Sequence, residues 1–207
     1  SHVAVRPSFT YKFIIFTCPV GQYYSKDVRV KVETLFTRAA KGGTGAAKAA
    51  GNYAAALLPT KLAINEGYDQ LLWTDAESHK YIEECGTMNA AFVVDGKMLV
   101  PSTSETVLSG ITRDSAITLA KDLGIDVESR MISVAELEEA AQKGLLQEAF
   151  GLGTAATVSV ICTIGFASGD YDLPGISNWR IAPQIQSALD SVRLGTGADK
   201  HGWNIPV

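Results

Sequence analysis

The sequence lacks the paired cysteines and histidines from which metal sites and disulfide frameworks are usually built. Its three cysteines, Cys18, Cys85 and Cys162, form no Cys-x-x-Cys pair, and its three histidines are equally isolated. This spacing argues against a zinc site, and we expect no bound metal. It also favours free thiols in a reducing compartment, so we expect a cytoplasmic protein.

Long apolar runs and strong charge are missing as well. No apolar run reaches the roughly 20 residues of a membrane-spanning helix, and the N-terminus does not resemble a signal peptide. The net charge of −4 over 207 residues is mild, which argues against a nucleic-acid partner or an anionic membrane partner. With 46% hydrophobic and 19% charged residues, the composition is that of a chain that folds around a core.

Strand-forming and helix-forming segments alternate irregularly along the chain. Runs of β-branched and aromatic residues, together with the hairpin dipeptide Asp95-Gly96, predict strands at 11–18, 28–32, 70–73, 87–94, 97–100, 127–132 and 158–166. Helical patterning predicts helices at 53–64, 111–123, 134–143 and 180–194. This order favours one α+β domain with several hairpins over strict β-α-β alternation.

Turn and cap residues predict where these elements begin and end. Pro59 should kink the first helix or restart it. Thr112 or Asp114 should cap the second helix, and a Ser-x-x-Glu capping box at 133–136 should start the third. Two glycine-rich stretches predict a loop and a turn region, at 151–156 and 169–175.

Residues 36–53 have very little side-chain bulk. They carry Arg38, Lys41, Lys48 and Tyr53 on a backbone that otherwise consists largely of glycine and alanine. Because glycine lets a ligand approach the main chain closely, our hypothesis is that Lys48 is a reactive amine in a crowded cofactor site. The alternative is a flexible, solvated loop with an ordinary surface lysine, and this stretch alone favours the alternative.

Two glycine-rich loops come close to known phosphate-binding motifs without matching them. Residues 43–48 have lysine where a dinucleotide-binding fingerprint needs glycine, and residues 151–156 lead into a predicted strand instead of a helix. A plain tight turn is one interpretation of each loop. The other is an anion cradle made of backbone N–H groups, either those of Gly153, Thr154 and Ala155 or those at the helix start Ile111-Thr112.

Two adjacent carboxylates, Glu83 and Glu84, stand before Cys85. Neighbours on a strand point to opposite faces, so we expect one carboxylate to be solvated while the other turns inward. An inward carboxylate is costly unless it meets a cation or a protonated ring nitrogen, and an outward pair at a strand end is the alternative. A lysine beside small residues, an inward glutamate and two anion-cradling loops together suggest a pyridoxal phosphate site.

Seven blocks of the sequence together form a recognisable pattern. The blocks begin at Cys18 (CPVGQYY), Arg38 (RAAKGGTGAAKAAGNY), Asp69 (DQLLW), Tyr81 (YIEECGTMN), Leu108 (LSGITRDS), Glu148 (EAFGLGTA) and Trp203 (WNIPV). In this order, along nearly the whole chain, they resemble the C-terminal large domain of branched-chain amino-acid aminotransferases, which are pyridoxal phosphate enzymes of fold type IV. The resemblance implies an α+β fold in which helices surround a mixed or antiparallel β pseudo-barrel.

The resemblance also implies roles for individual residues. Lys48 would be the catalytic lysine, which forms the Schiff base and then moves the proton between the substrate α-carbon and the cofactor. Glu84 would pair with the pyridine nitrogen, and Tyr53 with the phenolic oxygen. Further cofactor contacts are implied for Arg38, Thr87, Leu108, Gly110, Ile111, Thr112 and Thr154, of which Arg38, Ile111, Thr112 and Thr154 would surround the phosphate. The substrate would meet Tyr23, Met88, Thr154 and Ala155.

The chain departs from the family pattern at several positions. Ala46 and Ala47 stand where the family often has an acidic or polar pair, and Ala156 and Ser159 replace the redox cysteines of some members. The largest departure is the absence of the family's N-terminal small domain. We therefore expect residues 1–207 to be the C-terminal large domain alone, with weak cofactor binding and with apolar surface that is exposed or covered by self-association.

The implied function is amino transfer from leucine, isoleucine or valine to 2-oxoglutarate, with glutamate and branched-chain 2-oxo acids as products. The full-length enzyme is expected to be a homodimer or a larger homo-oligomer. One alternative is a fold type IV enzyme that acts on D-amino acids or aminodeoxychorismate, although the sequence around Glu84 and Arg113 favours the branched-chain type. Another is a catalytically incomplete fragment that serves only folding or dimerisation.

Overall fold

The computed structural model describes residues 5–19, 26–155 and 157–205 of the chain. Within these ranges it contains nine β-strands, four α-helices and a short 3-10 helix, Ile176–Asn178. The strands are β1 (Val28–Val32), β2 (Gln70–Thr74), β3 (Ile82–Cys85), β4 (Met88–Val94), β5 (Lys97–Pro101), β6 (Val127–Arg130), β7 (Leu146–Gly153), β8 (Thr157–Phe166) and β9 (Gly169–Asp172). The helices are α1 (Ala50–Asn65), α2 (Ile111–Asp122), α3 (Val134–Gln142) and α4 (Ile181–Arg193).

Six of the strands close into a barrel. Hydrogen-bonded neighbours follow the order β3-β2-β1-β8-β7-β4, and β3 also pairs with β4, which joins the two ends of this path. β5 and β6 continue the sheet beyond β4, and β9 pairs with β8. β1 runs parallel to β2 and β8, and β5 runs parallel to β6, while the remaining pairs are antiparallel. The predicted α+β class with a mixed pseudo-barrel is therefore confirmed.

The hydrophobic core lies on the strands and under the helices that cover them. β1 buries its three valines and leaves the two residues between them half-exposed, as its period-two pattern predicts. Trp73, Phe92 and Phe150 are fully buried, and Phe92 and Phe150 lie on the neighbouring strands β4 and β7. Burial of side chains of this size stabilises the fold by about 1.5–3 kcal/mol each.

Helix α1 forms the crossover between the parallel strands β1 and β2, which a tight turn cannot connect. It packs Ala63 against Leu71 and Trp73. Pro59 lies inside α1 without interrupting it, so the predicted restart is wrong. The missing N–H of Pro59 removes one helical hydrogen bond, which the rest of the helix tolerates.

Two local signals in the sequence are confirmed by the backbone geometry. Asp95 and Gly96 both have positive φ, 49° and 76°, as the tight turn of a two-residue hairpin requires. The hydroxyl of Ser133 accepts a hydrogen bond from the Glu136 N–H at 3.0 Å and so caps α3.

Three predicted segments differ from the structure. Residues 11–18 form no strand, and Phe13 and Phe16 are 90% and 81% exposed, because the described residues offer this segment no neighbouring strand. The loop predicted at 151–156 begins only after Gly153, because β7 continues to that residue between its antiparallel partners β4 and β8. The predicted turn region at 169–175 contains strand β9, which pairs with β8.

The described part of the chain also bears on the expected free thiols and on the absence of a membrane-spanning helix. All three cysteines are free thiols there, as predicted. Among the helices of the described ranges, none combines the length and the apolar character that a membrane crossing requires.

The start of α4 is held by a buried carboxylate. Glu148 on β7 accepts hydrogen bonds from the backbone N–H groups of Arg180, Ile181 and Ala182 at 2.6, 2.8 and 2.7 Å. First-turn N–H groups lack acceptors within their own helix and carry partial positive charge, so Glu148 fixes α4 to the sheet. Helix α4 in turn packs against α2.

We expect the substitution Glu148→Ala to lower the free energy of unfolding by about 2–4 kcal/mol, because it leaves three N–H groups, two of them buried, without an acceptor. Urea unfolding followed by circular dichroism measures this change. Glu77→Ala is the matched control, since Glu77 is exposed, and it should change stability by less than about 0.5 kcal/mol. Equal losses in the two variants would contradict the capping role of Glu148.

Candidate active site

One cavity of about 710 Å³ collects most of the residues that the sequence singled out. It lies at the end of the barrel where β4 begins and β7 ends, since Asn89 pairs with Leu152 there. The predicted site residues that line it are Lys48, Tyr53, Glu84, Thr87, Met88, Leu108, Gly110, Ile111, Thr112, Thr154 and Ala155. These residues come from four separate stretches of the chain, 48–53, 84–88, 108–112 and 154–155, which the fold brings together.

Among the predicted site residues in the described ranges, Arg38 alone does not line this cavity. Arg38 lines a smaller adjoining cavity of about 30 Å³, which shares Glu84 and Tyr53 with the larger one. Arg38, predicted near the phosphate, lies with its Nη2 3.3 Å from the Glu84 carboxylate. Tyr23 lies outside the described residues.

Lys48 is carried by an exposed loop that closes against the start of α1. The side-chain amide of Asn52 donates hydrogen bonds to the carbonyls of Thr44 and Ala47, both at 2.8 Å, and its oxygen accepts one from the Thr44 hydroxyl at 2.6 Å. Three bonds from one side chain therefore tie the glycine-rich loop to the first turn of α1. This arrangement places Lys48 on the wall of the cavity.

The same loop packs closely against residues 102–110. The Ala46 N–H donates to the Glu105 carbonyl at 2.9 Å. A Cβ added to Gly45 would lie only 2.8 Å from the Thr106 Cα, so a side chain there would push the two loops apart. Glycine at this position therefore allows the contact on which both loops depend.

Glu84 is the buried carboxylate of the cavity. Its Oε1 accepts a hydrogen bond from the Leu108 N–H at 2.6 Å and lies 3.3 Å from Arg38 Nη2. Arg38 Nη2 also donates to the Thr106 carbonyl, and among the described residues Arg38 Nε has no hydrogen-bond partner. Burial raises the pKa of Glu84 to about 7, although Arg38 and the Leu108 N–H act in the opposite direction.

Glu83, the neighbour of Glu84, is buried as well. The two residues are 8% and 4% exposed, so the expectation that one carboxylate would be solvated is wrong. The side chains point to opposite faces of β3, and the loop that carries Thr106 covers the Glu83 face, where the Thr106 hydroxyl donates to Glu83 Oε1.

The start of α2 reaches the cavity without a side-chain cap. Gly110 is the N-cap residue, and the predicted caps Thr112 and Asp114 are wrong, because both lie within the first turn. The N–H groups of a first helical turn lack intrahelical acceptors and attract anions. Ile111 and Thr112 line the cavity at this point, so its wall offers free donors to a negatively charged group.

Asn89 also lines the cavity, although sequence reasoning missed it as a site residue. Its amide donates to the Leu108 carbonyl at 2.9 Å, and it pairs with Glu84 across β3 and β4. A polar residue in the otherwise apolar run 88–94 was the available signal. Ser109 and Leu152 line the cavity too, and nothing in the sequence marked them.

The fold that carries this cavity is also found in solved branched-chain aminotransferases. The structure superimposes on the enzyme from Thermoproteus uzoniensis, solved with norvaline, with a TM-score of 0.76 and 28% identity over 91% of this chain and 59% of that one. For the Escherichia coli enzyme the TM-score is 0.73 and the identity 32%, over 90% and 59% of the two chains. A third branched-chain aminotransferase, solved with N-(5'-phosphopyridoxyl)-L-glutamate, gives a TM-score of 0.71 at 28% identity, over 86% of this chain and 55% of that one.

The chain belongs to the amino-transferase class IV family, whose model matches residues 6–164. It is 41% identical over 209 residues to a probable branched-chain-amino-acid aminotransferase of Staphylococcus epidermidis. It is 39% identical over 208 residues to branched-chain-amino-acid aminotransferase 2 of Bacillus subtilis. These alignments cover 99% of this chain but 58% and 57% of the relatives, so the chain spans little more than half of their length.

The raised pKa of Glu84 predicts how the stability of the cofactor-free chain depends on pH. Its folded-state pKa of about 7 lies above the ordinary value of 4.5, so protonation of Glu84 favours the folded state. This contribution is fully present below pH 4.5 and is lost as the pH rises through about 7. We expect it to amount to roughly 1–3 kcal/mol.

The measurement is chemical unfolding of the wild-type chain and of Glu84→Gln at a series of pH values. The variant should become more stable relative to the wild type as the pH rises from 4.5 to about 7. A difference in stability that stays constant over this range would show that Glu84 has an ordinary pKa in the folded chain.

Proposed function

We propose that this chain is the cofactor-binding large domain of a branched-chain aminotransferase, and that it moves the amino group of leucine, isoleucine or valine to 2-oxoglutarate through pyridoxal phosphate. The observation that carries the proposal is that Lys48 and the buried Glu84 line the same cavity of about 710 Å³. Family membership and the names of the relatives support the substrate class.

The groups around the cavity fit the parts of pyridoxal phosphate. The Glu84 carboxylate suits a protonated pyridine nitrogen, because burial raises its pKa and a further cation beside it would favour its ionised form. The uncapped start of α2 suits a phosphate dianion, and Thr154 lines the same cavity. We assign the Tyr53 hydroxyl to the phenolic oxygen, and Thr87 and Leu108 to the walls around the ring.

Pyridoxal phosphate, when bound, supplies an aldehyde that reacts with amines and a ring that accepts electrons from the substrate α-carbon. Lys48 Nζ would hold the cofactor at its aldehyde carbon and, once the substrate amine takes its place there, would accept the proton from the substrate α-carbon. Glu84 would keep the ring nitrogen protonated. Arg38 Nη2, 3.3 Å from Glu84 Oε1, favours the ionised form of that carboxylate, and we assign Arg38 to this task in place of a phosphate contact.

The predicted site residues that are not assigned to the cofactor are assigned to the substrate. We assign Met88, which fills the space beside Gly151 and Gly153, to the aliphatic side chain of the substrate, together with Tyr23. A Cβ on Gly151 would lie 2.5 Å from Met88 Cε, so glycine there lets Met88 pack against β7. The backbone N–H groups of Thr154 and Ala155 are assigned to the substrate carboxylate.

We further propose that the chain works as the C-terminal large domain of a longer protein, since it spans only 58% of the relative it matches. Apolar side chains exposed on α1 and at the start of α2 support this proposal: Leu57, Leu58 and Ile111 are 70%, 58% and 79% exposed. Large apolar side chains that are exposed to this extent are typical of a surface that meets another protein. In the full-length enzyme we expect the remaining domain and a second copy in a homodimer or larger oligomer to cover it.

Reduction with borohydride tests the role of Lys48 in the chain as it stands. After incubation with pyridoxal phosphate and reduction, mass spectrometry should find one phosphopyridoxyl group on the wild-type chain, located at residue 48. Lys48→Ala should carry none. Lys41→Ala removes a lysine from the same exposed loop but outside this cavity, so it should be labelled like the wild type. An unlabelled wild-type chain, or labelling of Lys48→Ala at the wild-type level, would contradict the proposed function.

The substrate class is tested by the absorbance of the chain-bound cofactor. L-Leucine should convert the aldehyde form to the amine form, and 2-oxoglutarate should restore it. D-Alanine at the same concentration should react at least about tenfold more slowly, a difference of roughly 1.4 kcal/mol in the barrier. Faster conversion by D-alanine would assign the chain to the enzymes that act on D-amino acids.

A further inference from the structure

A second cavity, of about 610 Å³, lies on the opposite face of β3 from the candidate active site. Glu83 lines it, whereas the adjacent Glu84 lines the first cavity, and the two cavities share no lining residue. Its size falls within the range of roughly 300–1,000 Å³ that is typical of pockets for small molecules. The segment 102–108 forms a wall of both cavities.

The second cavity is strongly acidic. Its lining residues among the described part of the chain include four carboxylates and one cation, Lys41. The carboxylates are Asp75, Glu77, Glu83 and Glu105. A cleft lined by one sign of charge concentrates ligands of the opposite sign, so this cavity favours cations.

Asp75 does not need a ligand, because the protein already satisfies its charge. Its oxygens accept hydrogen bonds from the N–H groups of Ser78, Lys80 and Tyr81 and from the Ser78 hydroxyl, at 2.7–2.9 Å. Burial alone would raise the pKa of Asp75, but these bonds lower it to about 2.

Glu83 is the carboxylate that remains incompletely satisfied. It is more than nine-tenths buried, since only 8% of the residue is exposed. Oε1 accepts a hydrogen bond from the Thr106 hydroxyl, but Oε2 has no partner among the described residues. Burial raises the pKa of this side chain. A buried carboxylate oxygen without a donor is costly, and a ligand that donates to it would recover that cost.

The other lining residues indicate the kind of cation. Ile82, Val107 and Met131 provide an apolar wall, and the Tyr81 ring lies beside them. No cluster of three or more histidine, cysteine, aspartate or glutamate side chains in the described residues is arranged to hold a metal ion. A charged nitrogen attached to an apolar or aromatic body therefore fits this cavity better than a bare ion does.

We propose that this cavity is a second binding site, for a small organic cation of the amine or amidine class whose N–H group donates to Glu83. The ligand's apolar part packs on Val107 and Met131, and its charged end lies among the carboxylates. Because Glu83 and Glu84 are neighbours on β3 and the two cavities share no lining residue, a ligand here lies behind the candidate active site without entering it.

Benzamidine is the probe, since its planar amidinium group can donate two hydrogen bonds to one carboxylate, and benzamide is its neutral counterpart. Isothermal titration of the full 207-residue chain, without pyridoxal phosphate, measures both affinities. We expect benzamidine to bind at least about tenfold more tightly than benzamide. Glu83→Gln should weaken the binding of benzamidine by about tenfold. Glu77→Gln removes an exposed carboxylate from the same cavity and should weaken it by less than about threefold.

A second measurement does not depend on any variant. Contacts between the aromatic protons of benzamidine and the methyl groups of Val107 and Met131, observed by nuclear magnetic resonance, should place the probe in the cavity. Equal affinities for benzamidine and benzamide would overturn the proposal. So would equal effects of the two substitutions, or contacts only with methyl groups outside this cavity. None of these measurements involves the cofactor. The proposal of a second binding site can therefore be confirmed or contradicted independently of the proposed transaminase function.

Discussion

The buried carboxylate of Glu84 is the constraint around which the candidate site is arranged. A carboxylate that is almost fully removed from water must be given a cation and hydrogen-bond donors, and Arg38 and the Leu108 N–H supply them here. Removing one partner of such a buried pair typically costs about 3–5 kcal/mol, because the other charge is left uncompensated. The pairing therefore links two loops that are distant in sequence, 33–49 and 102–110.

The details of these loops follow from that requirement. Gly45 leaves room for the two loops to pack against each other, and Asn52 ties the first loop to α1. Asn89 on β4 holds the second loop by donating a hydrogen bond to the Leu108 carbonyl. Each of these contacts fixes the position of Glu84 or Lys48 relative to the barrel. Preorganisation of this kind lets a site bind a charged cofactor without reorganising around it. Strand β3 of the barrel thus carries Glu84, and the loops around it carry Lys48 and the groups that hold Glu84 in place.

Much of this arrangement could be predicted from the sequence, but not all of it. The Asp95-Gly96 turn and the Ser133 cap are local signals, and the structure has both. Residues 11–18 have the composition of a strand, yet a strand also needs a neighbour, which sequence patterns do not reveal. Burial of Glu83 depends on Thr106, which lies 23 residues further along the chain. Sequence reasoning proposed Lys48 as a reactive amine and one inward carboxylate of the pair Glu83-Glu84, and the family resemblance singled out Glu84. Their shared cavity became visible only in three dimensions.

The protonation state of the cofactor's ring nitrogen tests the account most directly. The full chain, loaded with pyridoxal phosphate labelled with ¹⁵N in the ring, should show the chemical shift of a protonated pyridine nitrogen at neutral pH. Glu84→Gln should show an unprotonated nitrogen, because a neutral amide cannot stabilise the pyridinium charge. Glu83→Gln, a neighbour on the opposite face of β3, should keep the wild-type shift. The same nitrogen shift in the wild type and in Glu84→Gln would contradict the central role assigned to Glu84.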